Sequence, residues 1–352
     1  MLHFKEDKMK ILFIGGTGTI SMAITRKLAE RGDELYLLNR GNRNYDLPEN
    51  VKIIQCDIND ERSAAEKLAG MEFDCVGDFI GFVPAQLERD FRLFAGKTKQ
   101  FIYISSASAY RKPMQGYVIT EETPLENPYW EYSRNKKACE EYLMERCRED
   151  GFPVTIVRPS HTYDERSVPL GVHGNGGSWQ VVKRIKEGKP VIIHGDGISL
   201  WTITHNSDFA KAYIGLIGNP AAIGETFHIT TDESVSWNEI YGYIAEALGV
   251  QLKPYYVASE TLAALGKQYD FTGSLIGDKA CSVVFDNSKV KKLVPGFKAE
   301  ISAREGIRRT VEYVLAHPEC QKDDPEFDKW CDDVIAAVEN MKNMFEDQRF
   351  SD

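Results

Sequence analysis

The stretch "KILFIGGTGTIS", residues 10–21, runs five strand-forming residues straight into Gly15, Gly16 and Gly18, and a helical pattern follows from about Thr19 to Arg31. Glycines at such a junction let backbone N–H groups approach a pyrophosphate at a helix N-terminus, where side chains would obstruct. The spacing is Gly15-x-x-Gly18-x-x-Ser21 rather than G-x-G-x-x-G. Taken alone, it also suits a bare tight turn. As the first strand of a parallel sheet, it marks a dinucleotide site, with Gly15, Gly18, Thr19 and Ile20 as candidate cofactor contacts.

The flanking sequence supplies that sheet. Further continuously apolar runs lie at 34–39, 51–57, 74–80, 100–105 and 153–159, separated by helical patterns. Such runs fit parallel strands buried on both faces. The expected class is therefore α/β: a Rossmann-type doubly wound parallel sheet, with a smaller C-terminal substrate lobe and a C-terminal helical tail. The expected divisions are a dinucleotide-binding domain over 9–165, a mixed region over 166–315 that forms the lobe and returns elements to the sheet, and an acidic helical tail over 316–352. Within the mixed region, 167–180 reads as a glycine-rich loop over a cleft or at a helix start. Trp330, Val334, Val338, Met341 and Phe345 form one stripe on the tail helix, expected to pack on the body.

The end of the second strand reads Asn39-Arg40-Gly41. A carboxylate there would favour NAD by bonding the ribose 2′-hydroxyl, whereas a guanidinium can hold a 2′-phosphate. The cofactor expected is NAD or NADP, with Arg40 favouring NADP. Asp57, after the third strand, is a candidate for the adenine amino group or a helix cap.

In "YWEYSRNKKACEEYL", residues 129–143, Tyr132 and Lys136 stand four apart on a helix, so both can face one cleft. A lysine ammonium there would favour the phenolate, lower the tyrosine pKa, and could hold ribose hydroxyls. The preceding strand ends at Ser105, Ser106 and Ser108, on the edge where open α/β sheets bind ligands.

Together with "YISSASAY", "VRPSHTYD" (157–164), "GDGISLW" (195–201) and "FDNSKVKKLVPG" (285–296), these motifs resemble the extended and atypical short-chain dehydrogenase/reductases, specifically the NAD-dependent epimerase/dehydratase family. The resemblance spans roughly 9–315. It implies Tyr132 as acid/base, Lys136 as the ribose-binding, pKa-lowering lysine and Ser106 as the substrate-orienting serine. It also implies that Phe79 and Ile80 lie against the cofactor, that Pro159 and Ser160 pass the nicotinamide, and that a homodimer is common. Ser108, Ser160 and Trp201 are the candidate substrate contacts. Two departures narrow the substrate. Ala107 and Ser108 stand where sugar-nucleotide 4,6-dehydratases carry acids, and Trp201 stands where a pyrophosphate-clamping arginine is usual; Arg166 or Lys183 could supply that charge from the rim. The segments 76–94 and "LLNRG" also look like a branch that includes plant chloroplast RNA-associated proteins.

The resulting expectation is an enzyme: an NAD(P)-dependent oxidoreductase or epimerase acting at a hydroxyl or keto carbon of a sugar or sugar derivative, possibly a nucleotide sugar. The alternatives are a reductase of a non-sugar small molecule, or a non-enzymatic dinucleotide-binding or RNA-associated protein on the same fold. His173, Asn175, Trp179, His194 and Trp201 form a candidate polar cleft. The net charge is −10, and the segment from His317 onward holds eleven acidic against four basic residues, so most of the acidity sits in the tail. Neither part offers the basic surface nucleic acid requires. Seven cysteines without a CxxC pair and seven histidines without HxxxH predict neither disulfides nor a metal. The short apolar run near the N-terminus is no secretory segment, so a soluble cytoplasmic protein is expected.

Overall fold

The computed structural model describes residues 8–42 and 46–349. Residues 1–7, on which part of the expectation about a secretory segment rests, lie outside the described residues. The first half alternates as expected: β1 (Lys10–Ile14), α1 (Ser21–Arg31), β2 (Glu34–Asn39), β3 (Lys52–Gln55), α2 (Glu61–Lys67), β4 (Cys75–Asp78), α3 (Pro84–Phe94) and β5 (Phe101–Ile104). A short β6 (Val118–Ile119) precedes α4 (Glu131–Asp150), β7 (Val154–Pro159) and β8 (His161–Tyr163). Then come α5 (Trp179–Lys186), β9 (Val191–His194), β10 (Leu200–Trp201), β11 (Ile203–His205), α6 (Asn206–Leu216) and β12 (Thr226–Ile229).

Seven of these strands form one sheet in the order β12-β7-β5-β4-β1-β2-β3, with every pairing parallel. The apolar runs are continuous because helices cover both faces: Ile11, Leu12, Phe13 and Ile14 of β1 are all fully buried. Gly32 stops α1 in the left-handed region (φ 85°), and its N–H bonds the carbonyls of Leu28 and Ala29. Strand order reverses between β1 and β4, which opens a crevice at the carboxyl edge, where Gly15, Phe79 and Ser105 follow their strands. The strand within 224–230 joins this sheet beside β7.

Most of the remaining chain builds the smaller lobe: β13 (Val235–Ser236), α7 (Trp237–Leu248), β14 (Pro254–Val257), α8 (Ser259–Leu265), a π-helical segment Thr272–Lys279, β15 (Val284–Phe285) and α10 (Ala303–Ala316), whereas α9 (Ser288–Leu293) packs Val290 into the core of the main sheet with Phe209 and Phe227. The tail helix α11 (Pro325–Arg349) docks on that lobe by its first turns. Phe327, Cys331 and Val334 join a core holding Val182, Ile193, Trp237 and Tyr241. The expected stripe packs only in part: Met341 and Phe345 are 53% and 64% exposed.

The tail's acids are charge-matched by the lobe. Arg184, fully buried, donates to Asp328 at 2.7 Å and Asp332 at 2.6 Å, and Lys183 pairs with Asp323 at 2.9 Å. The glycine-rich loop lies at a helix start, ahead of α5, with the Gly176 N–H donating to Asp324. A Cβ on Gly174 would come within 2.4 Å of Asp324, so this glycine makes room for the tail. Among the described residues, no helix is long and apolar enough to cross a membrane.

Candidate active site

A groove of about 960 Å³ follows the carboxyl edge of the sheet. One end is lined by Asn39, Arg40 and Asp57; its middle by Gly15, Gly18, Thr19, Ile20, Phe79 and Ile80; the other end by Ser106, Tyr132, Lys136, Pro159 and Ser160. The glycine loop is built for close approach. Gly15 and Gly16 have φ of 104° and 93°, a region that favours glycine. A Cβ on Gly16 would reach within 2.5 Å of Leu37, and one on Gly15 within 3.3 Å of Ile80. Helix α1 begins at Ser21 rather than Thr19, and Ser21 has a role its small size alone did not announce: its Oγ accepts the Gly18 N–H at 2.9 Å. Thr25 holds the Gly16 carbonyl, and Asn206 at the start of α6 donates to the Thr19 carbonyl.

At the adenosine end, Asn39 Oδ1 accepts the Gly41 N–H. Asp57 accepts the Asn59 N–H, while the cap of α2 is Asp60, so Asp57 is not the helix cap. This lining fits a dinucleotide: a side-chain-free cradle at a helix start, and polar groups where the second and third strands end.

At the other end, α4 brings Tyr132 and Lys136 to one cleft. The Lys136 ammonium is buried and donates to the carbonyls of Gly81 and Ile104, both at 2.7 Å. It lies 5.8 Å from the Tyr132 ring centroid. Ser106 Oγ accepts the Ser108 N–H and sits 2.9 Å from Ser108 Oγ, which accepts from Ser133; Asn127 donates to the Ser108 carbonyl. The serines are thus fixed by a side-chain network rather than left as free rotors.

Burial raises the Tyr132 phenol above its ordinary value, and the Ser106 hydroxyl opposes that rise. This corrects the expectation of a phenol lowered by Lys136. The ammonium is turned to two carbonyls, and desolvation of the phenol dominates.

Burial also lowers Lys136, from an ordinary 10.5 to about 8, against the attraction of Asp78. Between those values the unfolded chain holds a proton that the native lysine has released, so the contribution of Lys136 to stability rises with pH. Measured by denaturant unfolding, the cofactor-free protein should gain on a Lys136→Met variant by roughly 1.4 kcal/mol per pH unit between pH 8 and 10. A gap that stays constant across that window would contradict the shift.

A second cavity, of about 250 Å³, opens where the first ends. Ser106, Tyr132, Pro159, Ser160 and His161 line both. The smaller one adds Ser108, Lys112, Trp130, Trp201, Asp278 and Lys279. Trp201 does two things at once: it is buried against Trp237, stacked at 6.1 Å, and also lines this cavity. The other candidate polar residues lie elsewhere. Trp179 donates to Asp323 of the tail segment, His194 packs on Trp237, and neither they nor His173 and Asn175 line the two cavities. The proposed rim cations are also displaced, with Arg166 paired to Asp164 and Lys183 to Asp323. Lys112, Asp278 and Lys279 are the charged lining residues that sequence reasoning missed. Lys112 follows "SASAY" by two positions and could have been noticed. The Asp278–Lys279 pair arrives on a π-helical segment with no local signature.

Residues 11–230 match the NAD dependent epimerase/dehydratase family. Among curated proteins, the chain is similar to 2'-dehydrokanamycin reductase of Streptomyces kanamyceticus, 25% identical over 311 residues, covering 88% of this chain and 85% of that protein. It is also similar to the chloroplast stem-loop binding protein of 41 kDa b of Arabidopsis thaliana, 26% identical over 315 residues, covering 86% and 78%. Among solved structures, UDP-glucuronic acid 4-epimerase from Bacillus cereus in complex with NAD superposes with a TM-score of 0.69 at 18% identity, over 88% of this chain and 99% of that one. That last likeness is one of fold.

Proposed function

The chain belongs to the NAD dependent epimerase/dehydratase family, and we propose that it is an NAD(P)-dependent oxidoreductase or epimerase acting at the hydroxyl- or keto-bearing carbon of a sugar or sugar derivative. The observation that carries this reading is the meeting of a dinucleotide-sized groove and a smaller cavity at one seam that includes Ser106 and Tyr132. The dinucleotide, when bound, supplies a hydride acceptor or donor. Gly15, Gly18, Thr19 and Ile20 would hold its pyrophosphate, Asn39, Arg40 and Asp57 its adenosine, and Phe79, Ile80 and Pro159 would flank it.

The chain's own residues move the proton. Ser106 Oγ orients the substrate oxygen, and Tyr132 exchanges the hydroxyl proton with it. Lys136 spends two of its three N–H donors on the Gly81 and Ile104 carbonyls, leaving one for a ribose hydroxyl. Burial raises the Tyr132 phenol further above neutral pH, so the protonated form that ketone reduction requires predominates. Incubation with sugars or keto sugars and NAD(P)(H), followed at 340 nm and by sugar analysis, tests the reading. No turnover and no epimerisation across neutral, acidic and nucleotide-linked sugars would count against it.

The absence of a carboxylate at the end of β2, with Arg40 lining the groove there, supports NADP over NAD. NADP should bind more tightly, and Arg40→Ala should weaken NADP by roughly 10-fold or more with little effect on NAD. Titration of both cofactors checks this; tighter binding of NAD by the wild type removes the preference.

A further inference from the structure

The smaller cavity contains more positive charge than its surroundings satisfy. Lys112 is 3% exposed, yet among the described residues its ammonium has one hydrogen bond, to the Asp278 carbonyl at a marginal 3.5 Å, and a Trp201 ring 5.7 Å away. Lys279 reaches the Ser274 carbonyl at 3.4 Å and the Asp278 carboxylate at 3.5 Å, and lies 5.9 Å from the Trp130 ring. Asp278 is the one carboxylate among the lining residues and stands against two ammonium groups. Burial holds His161 neutral, its pKa down to about 3, so it adds no charge of its own. Two further buried polar atoms, Trp201 Nε1 and His161 Nδ1, have no hydrogen-bond partner among the described residues.

A buried ammonium with its donors largely unused is costly unless an anion or a set of strong acceptors completes it. The lining contains no arginine, and its volume of about 250 Å³ lies below the range of about 300–1,000 Å³ usual for drug-sized ligands. These features disfavour a nucleoside diphosphate in this cavity and suit a single ring. Trp201 and Trp130 offer flat apolar surfaces to such a ring, while Ser106 and Tyr132 line the wall shared with the cofactor groove.

We propose that the substrate is a single hydroxylated ring bearing one small anionic group, carboxylate or phosphate, and that this group binds between Lys112 and Lys279 within the cavity walled by Trp130 and Trp201. This rests on the oxidoreductase reading above and adds the substrate class to it. Asp278 faces the same space. It orients Lys279 and penalises ligands with more negative charge than the two lysines can match.

The test is binding to cofactor-saturated protein, read by calorimetry or by quenching of tryptophan fluorescence. Glucose is compared with glucuronate, glucose 6-phosphate, glucosamine and UDP-glucose. The expected result is that glucuronate or glucose 6-phosphate binds at least about 10-fold more tightly than glucose, and the stronger of the two identifies the anion. Lys112→Met should bring that ligand down to the level of glucose, and Lys279→Met should reduce it, with cofactor affinity unchanged in both. The comparison on the wild type needs no variant and survives a misfolded Lys112→Met. Equal binding of glucose, preference for glucosamine or UDP-glucose, or no binding of either anionic sugar at millimolar concentration overturns the proposal. The oxidoreductase reading would survive any of these, because it stands or falls on turnover and on Tyr132.

Discussion

Tyr132→Phe should lower turnover by about 10²–10⁴-fold while leaving NAD(P) affinity within a few-fold of wild type. The substitution removes one hydroxyl from a ring that otherwise keeps its place beside Phe82 and Trp130, at centroid distances of 6.4 and 5.0 Å. Packing is therefore retained, and the loss reports on proton transfer. The wild-type pH profile adds a second readout. With the phenol raised by burial, the oxidative direction requires a species that becomes more abundant as pH rises, so oxidation should accelerate from pH 7 to pH 9. Ketone reduction uses the protonated form and should stay flat or fall over the same range. Undiminished turnover in Tyr132→Phe would remove the tyrosine from the chemistry, whatever its position.

The first half of the fold was legible because a parallel strand covered on both faces is written as an unbroken apolar run. Ile11–Ile14 and Phe101–Ile104 are two such runs, buried throughout. The same logic located Gly15, Gly18, Tyr132 and Lys136, each placed by a short spacing along one strand-helix unit. Where β12 would pair was not legible, since the short Thr-Phe-His-Ile strand of 226–229 suits either lobe. The smaller cavity was hidden for a related reason: Lys112 and Asp278 are 166 positions apart and meet only through tertiary packing. Arg166 and Lys183 were reasonable cations from composition alone. Each has an acid beside it in the fold, and neither reaches the cleft.

Glu140→Gln should destabilise the protein by about 3–5 kcal/mol in denaturant unfolding. Glu140 is buried on the same helix as Tyr132 and Lys136, and it accepts from Arg158 Nε at 2.9 Å and Nη2 at 2.6 Å. Its other partner is the Ser105 hydroxyl at 2.5 Å, so this one carboxylate ties α4 to the ends of both β5 and β7. Arg158 also donates to the Tyr110 hydroxyl at 3.1 Å and the Glu121 carbonyl at 3.2 Å, and Tyr110 in turn meets His228. Neutralising Glu140 leaves the guanidinium in low dielectric with only neutral acceptors, which costs far more than the loss of one hydrogen bond. A Glu140→Leu/Arg158→Met double variant removes both charges. It should be more stable than Glu140→Gln, because the unpaired charge has gone. Its activity should nevertheless stay low, because Ser105 has lost its acceptor beside Ser106 and the register of α4 against β5 is no longer pinned. A cost below about 1 kcal/mol for Glu140→Gln would place the pair among screened surface contacts. A double variant with full activity would show that Tyr132 and Lys136 are positioned by packing alone.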